Sequence, residues 1–197
     1  MKAFIYSLSI ITLFSKGANA FESVHKYEQY LNGIKTLSGD FTQVNSKGHS
    51  ITGKIEMSRP GKMRLTYNPP SNLLIIANGK WLITIDRKAD EVDYVSLENT
   101  PAAFILQPYI QFKGDVEVTT FIPKGETTEI SLVRKEEPDA GYLTLVFKEN
   151  PIALKEWSII DAQGVETRVI LSNTRSNINL APELFMIKNP NWIQQIF

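Results

Sequence analysis

From Gly39 to Thr174 the chain alternates apolar and polar positions in short runs broken by turn residues. "GDFTQV" (39–44) and "TGKIEMS" (52–58) put side chains of opposite character on opposite sides, the period-two signature of a strand with one covered face. The polar "NSKGHS" between them reads as a turn. "KMRLTY" (62–67) repeats the pattern, with Met63, Leu65 and Tyr67 on one side and Lys62, Arg64 and Thr66 on the other. In "NLLIIANGKWLITID" (72–86) an Asn78-Gly79 pair separates two apolar runs, a strong hairpin signal because both residues tolerate positive φ. "EVDYVSL", "VEVTTFI", "TEISLVRK", "YLTLVFK", "LKEWSIID" and "VETRVILSNT" continue the series, separated by "RKAD", "PKGE", "EEPDAG", "ENP" and "AQG". Strands so spaced predict one large antiparallel sheet or barrel.

Two segments follow a different period. In "SVHKYEQYLNGIKTL" (23–37), Val24, Tyr27, Tyr30, Leu31, Ile34 and Leu37 recur at three- and four-residue steps. This predicts an amphipathic helix with Ser23 as N-cap and its stripe packed on the sheet. In "ENTPAAFILQP" (98–108), Thr100 is placed to cap and Pro101 to open a short helix that Pro108 stops. Ala102, Ala103, Phe104, Ile105 and Leu106 make it apolar nearly all round, so it must be covered on every side. It is either a plug over a barrel end or a lid whose inner side meets a ligand.

The first twenty residues have the layout of a secretory signal. Lys2 is followed by the apolar "AFIYSLSIITLFS" and then by "ANA", which predicts cleavage after Ala20. The thirteen-residue apolar run falls short of the roughly 20 residues a spanning helix needs. Residues 21–197 are then read as a single exported domain. The chain has 21 basic and 21 acidic residues, and loss of Lys2 and Lys16 leaves 19 against 21. That balance speaks against a nucleic-acid partner, which would select a basic excess. There is no cysteine, hence no disulfide, no thiolate chemistry and no site for a lipid anchor of the bacterial lipoprotein type.

Catalytic patterns are missing. Neither G-x-S-x-G nor H-E-x-x-H occurs, and the Gly-Lys pairs at 53–54, 61–62 and 79–80 are followed by Ile, Met and Trp rather than Ser or Thr. His25 and His49, the two histidines, fall on the leading helix and in a turn, giving no metal spacing. Asp86, Asp90 and Asp93, like Glu136, Glu137 and Asp139, read as solvated turns. No cofactor, metal or reaction is predicted. Arg59 stands apart. It precedes Pro60, which biases it to extended backbone, and it shares a face with Ile55 and Met57. Either it snorkels to water past the strand end, or it sits at the mouth of an apolar space, where its five donors reach lid carbonyls or ligand ester groups.

In order along the chain, "DFTQ" (Asp40–Gln43), a strand ending in Arg59-Pro60, "NPP" (Asn68–Pro70), the Asn-Gly hairpin, "NTPAAFIL" (Asn99–Leu106) and "LFMIKNP" (Leu184–Pro190) resemble the LolA-type periplasmic carriers of outer-membrane lipoproteins. The resemblance is tightest over residues 40–106 and looser from 111 to 180, and it takes "LFMIKNP" as the last strand. It implies a mainly β fold with a few helices: an incomplete, unclosed antiparallel β-barrel with an α-helical lid over an apolar cavity. Ile55, Met57, Met63, Leu65 and Tyr67 would line the cavity for acyl chains, and Pro101, Ala103, Phe104 and Leu106 would belong to the lid helix. Arg59 would latch the lid and govern release. The implied partners are triacylated lipoproteins as cargo, an inner-membrane ATP-driven LolCDE-type releasing complex and an outer-membrane LolB-type receptor, with the carrier itself a monomer. The chain departs from the family where Met63 and Leu65 replace frequent aromatics and where it ends in "NWIQQIF", which has no clear counterpart. A second reading, from another class, is an exported β-rich module that senses a lipid or protein without a transport cycle.

Overall fold

The computed structural model describes residues 17–187, with side chains from Val24 onward. The leader residues 1–16 and the closing "NWIQQIF" lie outside the described residues. Helix α1 spans Gly17–Gly33. Six strands follow: β1 (Thr36–Asn45), β2 (Ser50–Ser58), β3 (Lys62–Tyr67), β4 (Leu73–Asn78), β5 (Trp81–Asp86) and β6 (Glu91–Ser96). After helix α2 (Ala102–Leu106) come β7 (Val116–Lys124), β8 (Thr127–Arg134), β9 (Gly141–Lys148), β10 (Ala153–Asp161) and β11 (Glu166–Ser176).

All eleven strands form one sheet in the order β6-β5-β4-β3-β2-β1-β11-β10-β9-β8-β7. Every neighbouring pair is antiparallel, and the sheet does not close. The β1–β11 pairing joins the two halves. Strands β6 and β7 are consecutive in sequence but lie at opposite edges, so residues 97–115 must bridge the open side. That crossing places α2 in the same buried cluster as α1.

Register explains the covered face. Leu37, Met57, Met63, Ala77 and Leu82 are successive cross-strand partners from β1 to β5, as are Ile55, Leu65 and Ile75. With Val24, Tyr27 and Leu31 of α1, Ile34 just after it, and Ile105 and Leu106 of α2, they form one buried apolar cluster that continues into Ile130, Leu145, Phe147 and Trp157, with the half-buried Ile75 and Leu82 packed against it. Gly53 is required here. A Cβ on it would lie 2.6 Å from the Phe41 ring and 2.4 Å from the Thr66 carbonyl, so the ring packs on bare backbone. Phe41 meets Tyr67 edge-on at 5.1 Å, and the Tyr67 hydroxyl donates to Gln43 Oε1 at 2.6 Å. The "DFTQ", glycine and Tyr67 signals are thus parts of one packing unit.

Three expectations need correction. The leading helix starts at Gly17, which puts Ser23 inside it rather than at its cap, and it ends at Gly33. Leu37 is buried from β1 instead, because the chain reverses after Ile34 and enters the sheet at Thr36. Thr100 does not cap α2; its hydroxyl donates to the Leu97 carbonyl at 2.7 Å and closes the preceding turn, leaving Pro101 at the N-cap. Finally, "LFMIKNP" does not begin as a strand. Residues Pro182–Phe185 form a short 3-10 turn against the outer face, where the Leu184 carbonyl accepts from Arg64 Nη1 at 3.0 Å. The unbroken run "LLIIA" is apolar because both of its faces are covered: Leu74, Ile76, Ile83 and Ile85 make a second buried cluster on the outer side.

Candidate functional site

The predicted lining residues converge on the inner face of the first half-sheet. Ile55, Met57, Met63, Leu65 and Tyr67 are all buried there, none more than 7% exposed. Side chains of α1 and α2 pack in the same buried cluster above them, and two grooves of about 790 and 630 Å3 open on the outer face of the sheet. Met63 and Met57 are cross-strand partners, so two unbranched, deformable side chains sit together under the cover. The buried side of β3 is the side that alternation along "KMRLTY" predicts.

Of the lid residues, Leu106 is buried with Ile105, Ala103 and Phe104 are half-buried, and Pro101 is exposed. The helix is therefore not covered on every side, as its composition suggests. Phe104 stacks on Phe112 with centroids 6.2 Å apart and remains partly open to solvent. The short helix keeps one edge open to solvent.

Arg59 faces inward, and its partners are Leu31 in the last turn of α1 and Ile34 and Lys35 just beyond it. Its Nε donates to the Ile34 carbonyl at 2.9 Å, and Nη2 donates to the carbonyls of Leu31 and Ile34. Its backbone N–H donates to the Lys35 carbonyl at 2.8 Å, and two residues on, the Gly61 N–H reaches the Leu106 carbonyl at 2.9 Å. The last carbonyls of a helix have no intrahelical partner, and a cation there also meets the negative end of the helix dipole. Arg59 therefore acts as a C-terminal cap supplied from across the sheet. Yet the fit is incomplete. Nη1 is buried without a partner, no carboxylate pairs with the group among the described residues, and burial pulls its pKa down. A charge held only by dipoles is costly.

The segment after α2 is fastened to α1 by side chains. Asn32 donates from Nδ2 to the Ile110 carbonyl and accepts the Ile110 N–H at Oδ1, both at 2.8 Å. Glu28 Oε1 accepts the Phe112 N–H at 2.6 Å. These contacts satisfy backbone groups that no strand or helix serves.

Further toward its N-terminus α1 meets the second half of the sheet. Tyr27 packs on Phe147 at 4.7 Å and on Phe121 at 6.2 Å, and its hydroxyl donates to Glu149 Oε1 at 2.5 Å. Thr128 Oγ1 donates to the same oxygen at 2.7 Å, and Lys26 Nζ donates to Oε2 at 3.0 Å. These donors, Thr128 first and then Tyr27 and Lys26, hold the Glu149 carboxyl down at about 2. Burial, aided by the carboxylate beside it, raises the Tyr27 hydroxyl. Tyr30 contributes again, its hydroxyl accepting the Leu154 N–H at 3.0 Å. Glu149, Asn32 and Glu28 carried no site signal in the sequence. Glu149 and Tyr27 are 122 residues apart, Asn32 and Ile110 78, and Glu28 and Phe112 84, so no local pattern records these contacts.

A family model described as outer membrane lipoprotein carrier protein LolA matches residues 32–188. The chain is 29% identical to an outer-membrane lipoprotein carrier protein of Chromobacterium violaceum over 88% of its own length and 87% of the relative's. It is 27% identical to one from Legionella pneumophila over 96% of each. A solved structure of a DUF1329 family protein from Desulfovibrio piger aligns with 87% of this chain and 98% of that one, with a TM-score of 0.53 at 9% identity. That likeness speaks to the fold alone.

Proposed function

The chain belongs to the LolA family of outer membrane lipoprotein carrier proteins, and from that premise we propose that it is an exported, periplasmic carrier cleaved after Ala20. It takes triacylated lipoproteins from a LolCDE-type complex at the inner membrane and delivers them to a LolB-type receptor at the outer one. The observation that carries this reading is the apolar inner face of an unclosed sheet, packed under residues of two helices, with Arg59 bonded to the Leu31 and Ile34 carbonyls beside it. Ile55, Met57, Met63, Leu65 and Tyr67 are the surface offered to acyl chains. The half-buried Phe104 marks the edge at which they enter.

Energetics support a cover that moves. Each buried methylene contributes about 0.8 kcal/mol, so one long acyl chain brings roughly 10 kcal/mol of shelter from water. In the empty protein α1 and α2 pack over the same face. Loading exchanges one apolar contact for another, which keeps the net affinity modest and release feasible. Binding and release suffice for such a cycle, and no chemical step is assigned to the protein.

The test uses the purified mature chain and a fluorescent triacylated lipopeptide. The intact peptide binds and its deacylated form does not, while Leu65→Asp lowers affinity at least about tenfold. Arg59→Leu loads but hands its peptide poorly to acceptor protein or membranes. Equal binding of acylated and deacylated peptide contradicts the reading, and binding without handover by the wild-type chain favours a sensor.

A further inference from the structure

Resting on the carrier reading, we propose that Met57 and Met63 form an oxidation site. A hydroperoxide adds oxygen to their thioether sulfurs, and the polar face that results stops taking up acyl chains until a sulfoxide reductase restores it. The chain has four methionines and no cysteine, so thioethers are all the sulfur it offers an oxidant. Three of the four lie among the described residues, and two of these face each other. Met57 of β2 and Met63 of β3 are cross-strand partners on the inner face, which brings their Cβ atoms to about 5 Å. They are 6% and 7% exposed, where Ile55 on the same face is 1% exposed. Met186 stands apart in the outer groove and is 57% exposed.

The step balances without help from the protein. A sulfur lone pair takes one peroxide oxygen, the O–O bond breaks, and water or an alcohol leaves. The sulfur loses two electrons and the peroxide gains them. Reduction by two thiols gives back the thioether with a disulfide and water, and those thiols come from the reductase because this chain has none. The consequence follows from the place. Oxygen turns an unbranched apolar side chain into a polar one with a strong acceptor. The side chains paired with the two methionines on their other sides, Leu37 and Ala77, offer that acceptor no donor, and a buried acceptor without a donor is costly. One donor is nearby. Arg59 faces inward two residues beyond Met57, about 7 Å along the chain, and its Nη1 is buried without a partner. A Met57 sulfoxide bonded there leaves the fold intact while the acyl-facing surface turns polar. The oxidised protein thus stays folded and stops loading, which separates a reversible switch from damage.

Peroxide treatment of the purified mature chain, followed by mass mapping, tests this. Met186 is expected to oxidise at least about tenfold faster than the inner pair. Met57 and Met63 should then gain one oxygen each in a protein that stays folded by circular dichroism. That oxidised chain should bind the fluorescent triacylated lipopeptide about tenfold more weakly than the untreated one. Sulfoxide reductases of both stereospecificities should restore binding. Each variant is compared with itself before and after peroxide. Met57→Leu/Met63→Leu should change less than about twofold, and Met186→Leu should keep the full loss. Thioethers at 57 and 63 that stay unoxidised, unfolding on their oxidation, or a loss of binding that disappears in Met186→Leu would each overturn the site. If the double variant folds poorly, Met186→Leu still decides, since its peroxide sensitivity can come only from the inner pair among the described methionines. Mapping and folding involve no cargo, so they judge the site even if the untreated chain fails to bind lipopeptide, the result that would end the carrier reading.

Discussion

Near its middle α1 is held by an acid that receives three donors, and at its C-terminal end by a guanidinium that reaches two carbonyls and leaves one nitrogen bare. The difference lies in what each charge is given. Glu149 has a cation and two hydroxyls, so its charge is answered and its pKa falls to about 2. Arg59 has backbone dipoles alone, and burial pulls its pKa down. A carrier needs both kinds of fastening. One end has to keep the cover attached and the other has to release it at modest cost, and a half-satisfied buried charge is a contact whose loss costs little.

The contrast can be broken most forcefully at the firm end. Tyr27→Ala removes a ring that is 1% exposed and packed on Phe147 and Phe121. It should cost about 3–5 kcal/mol in urea unfolding. Glu149→Gln keeps the shape but removes the charge from three hydrogen bonds, and should cost about 1.5–3 kcal/mol by the same measurement. Acid sharpens the point. Glu149 has a folded pKa of about 2 against an ordinary 4.5, so its contribution is fully present above pH 4.5 and is lost as pH falls toward 2. After allowance for solvent screening that contribution is about 1–2 kcal/mol. A pH series of thermal melts should show it in the wild-type chain and much less of it in Glu149→Gln. At the weak end, Arg59→Leu should change global stability by less than about 1 kcal/mol in either direction, because the lost bonds are offset by removal of an unpaired buried donor. A large loss there would mean that the two ends are alike.

The inner face was legible in the sequence because strand alternation is local: Met63, Leu65 and Tyr67 are inside, as "KMRLTY" implied. The inward aim of Arg59 followed from the same alternation. Its partners did not, since Leu31 and Ile34 are 28 and 25 residues away and the bond is to backbone. The end of α1 was misread because Leu37 fits the helical stripe yet is buried from β1, two residues into the strand. The outer cluster of Leu74, Ile76, Ile83 and Ile85 was missed for another reason. A continuous apolar run shows that both faces are covered without showing what covers them. Glu149 lay beyond any local reading. It sits in a turn between β9 and β10, where acids are ordinary, and only the β8–β9 pairing and the path of α1 bring Thr128 and Tyr27 to it.

The central claim is that acyl chains take the place of the helices on the inner face. Hydrogen exchange of the mature wild-type chain with and without a bound triacylated lipopeptide tests it directly. The account predicts that loading raises exchange in residues 30–35 and 104–112, lowers it in β2 and β3, and leaves residues 24–28 protected. Stoichiometric binding that leaves residues 30–35 and 104–112 as protected as in the empty protein would contradict it.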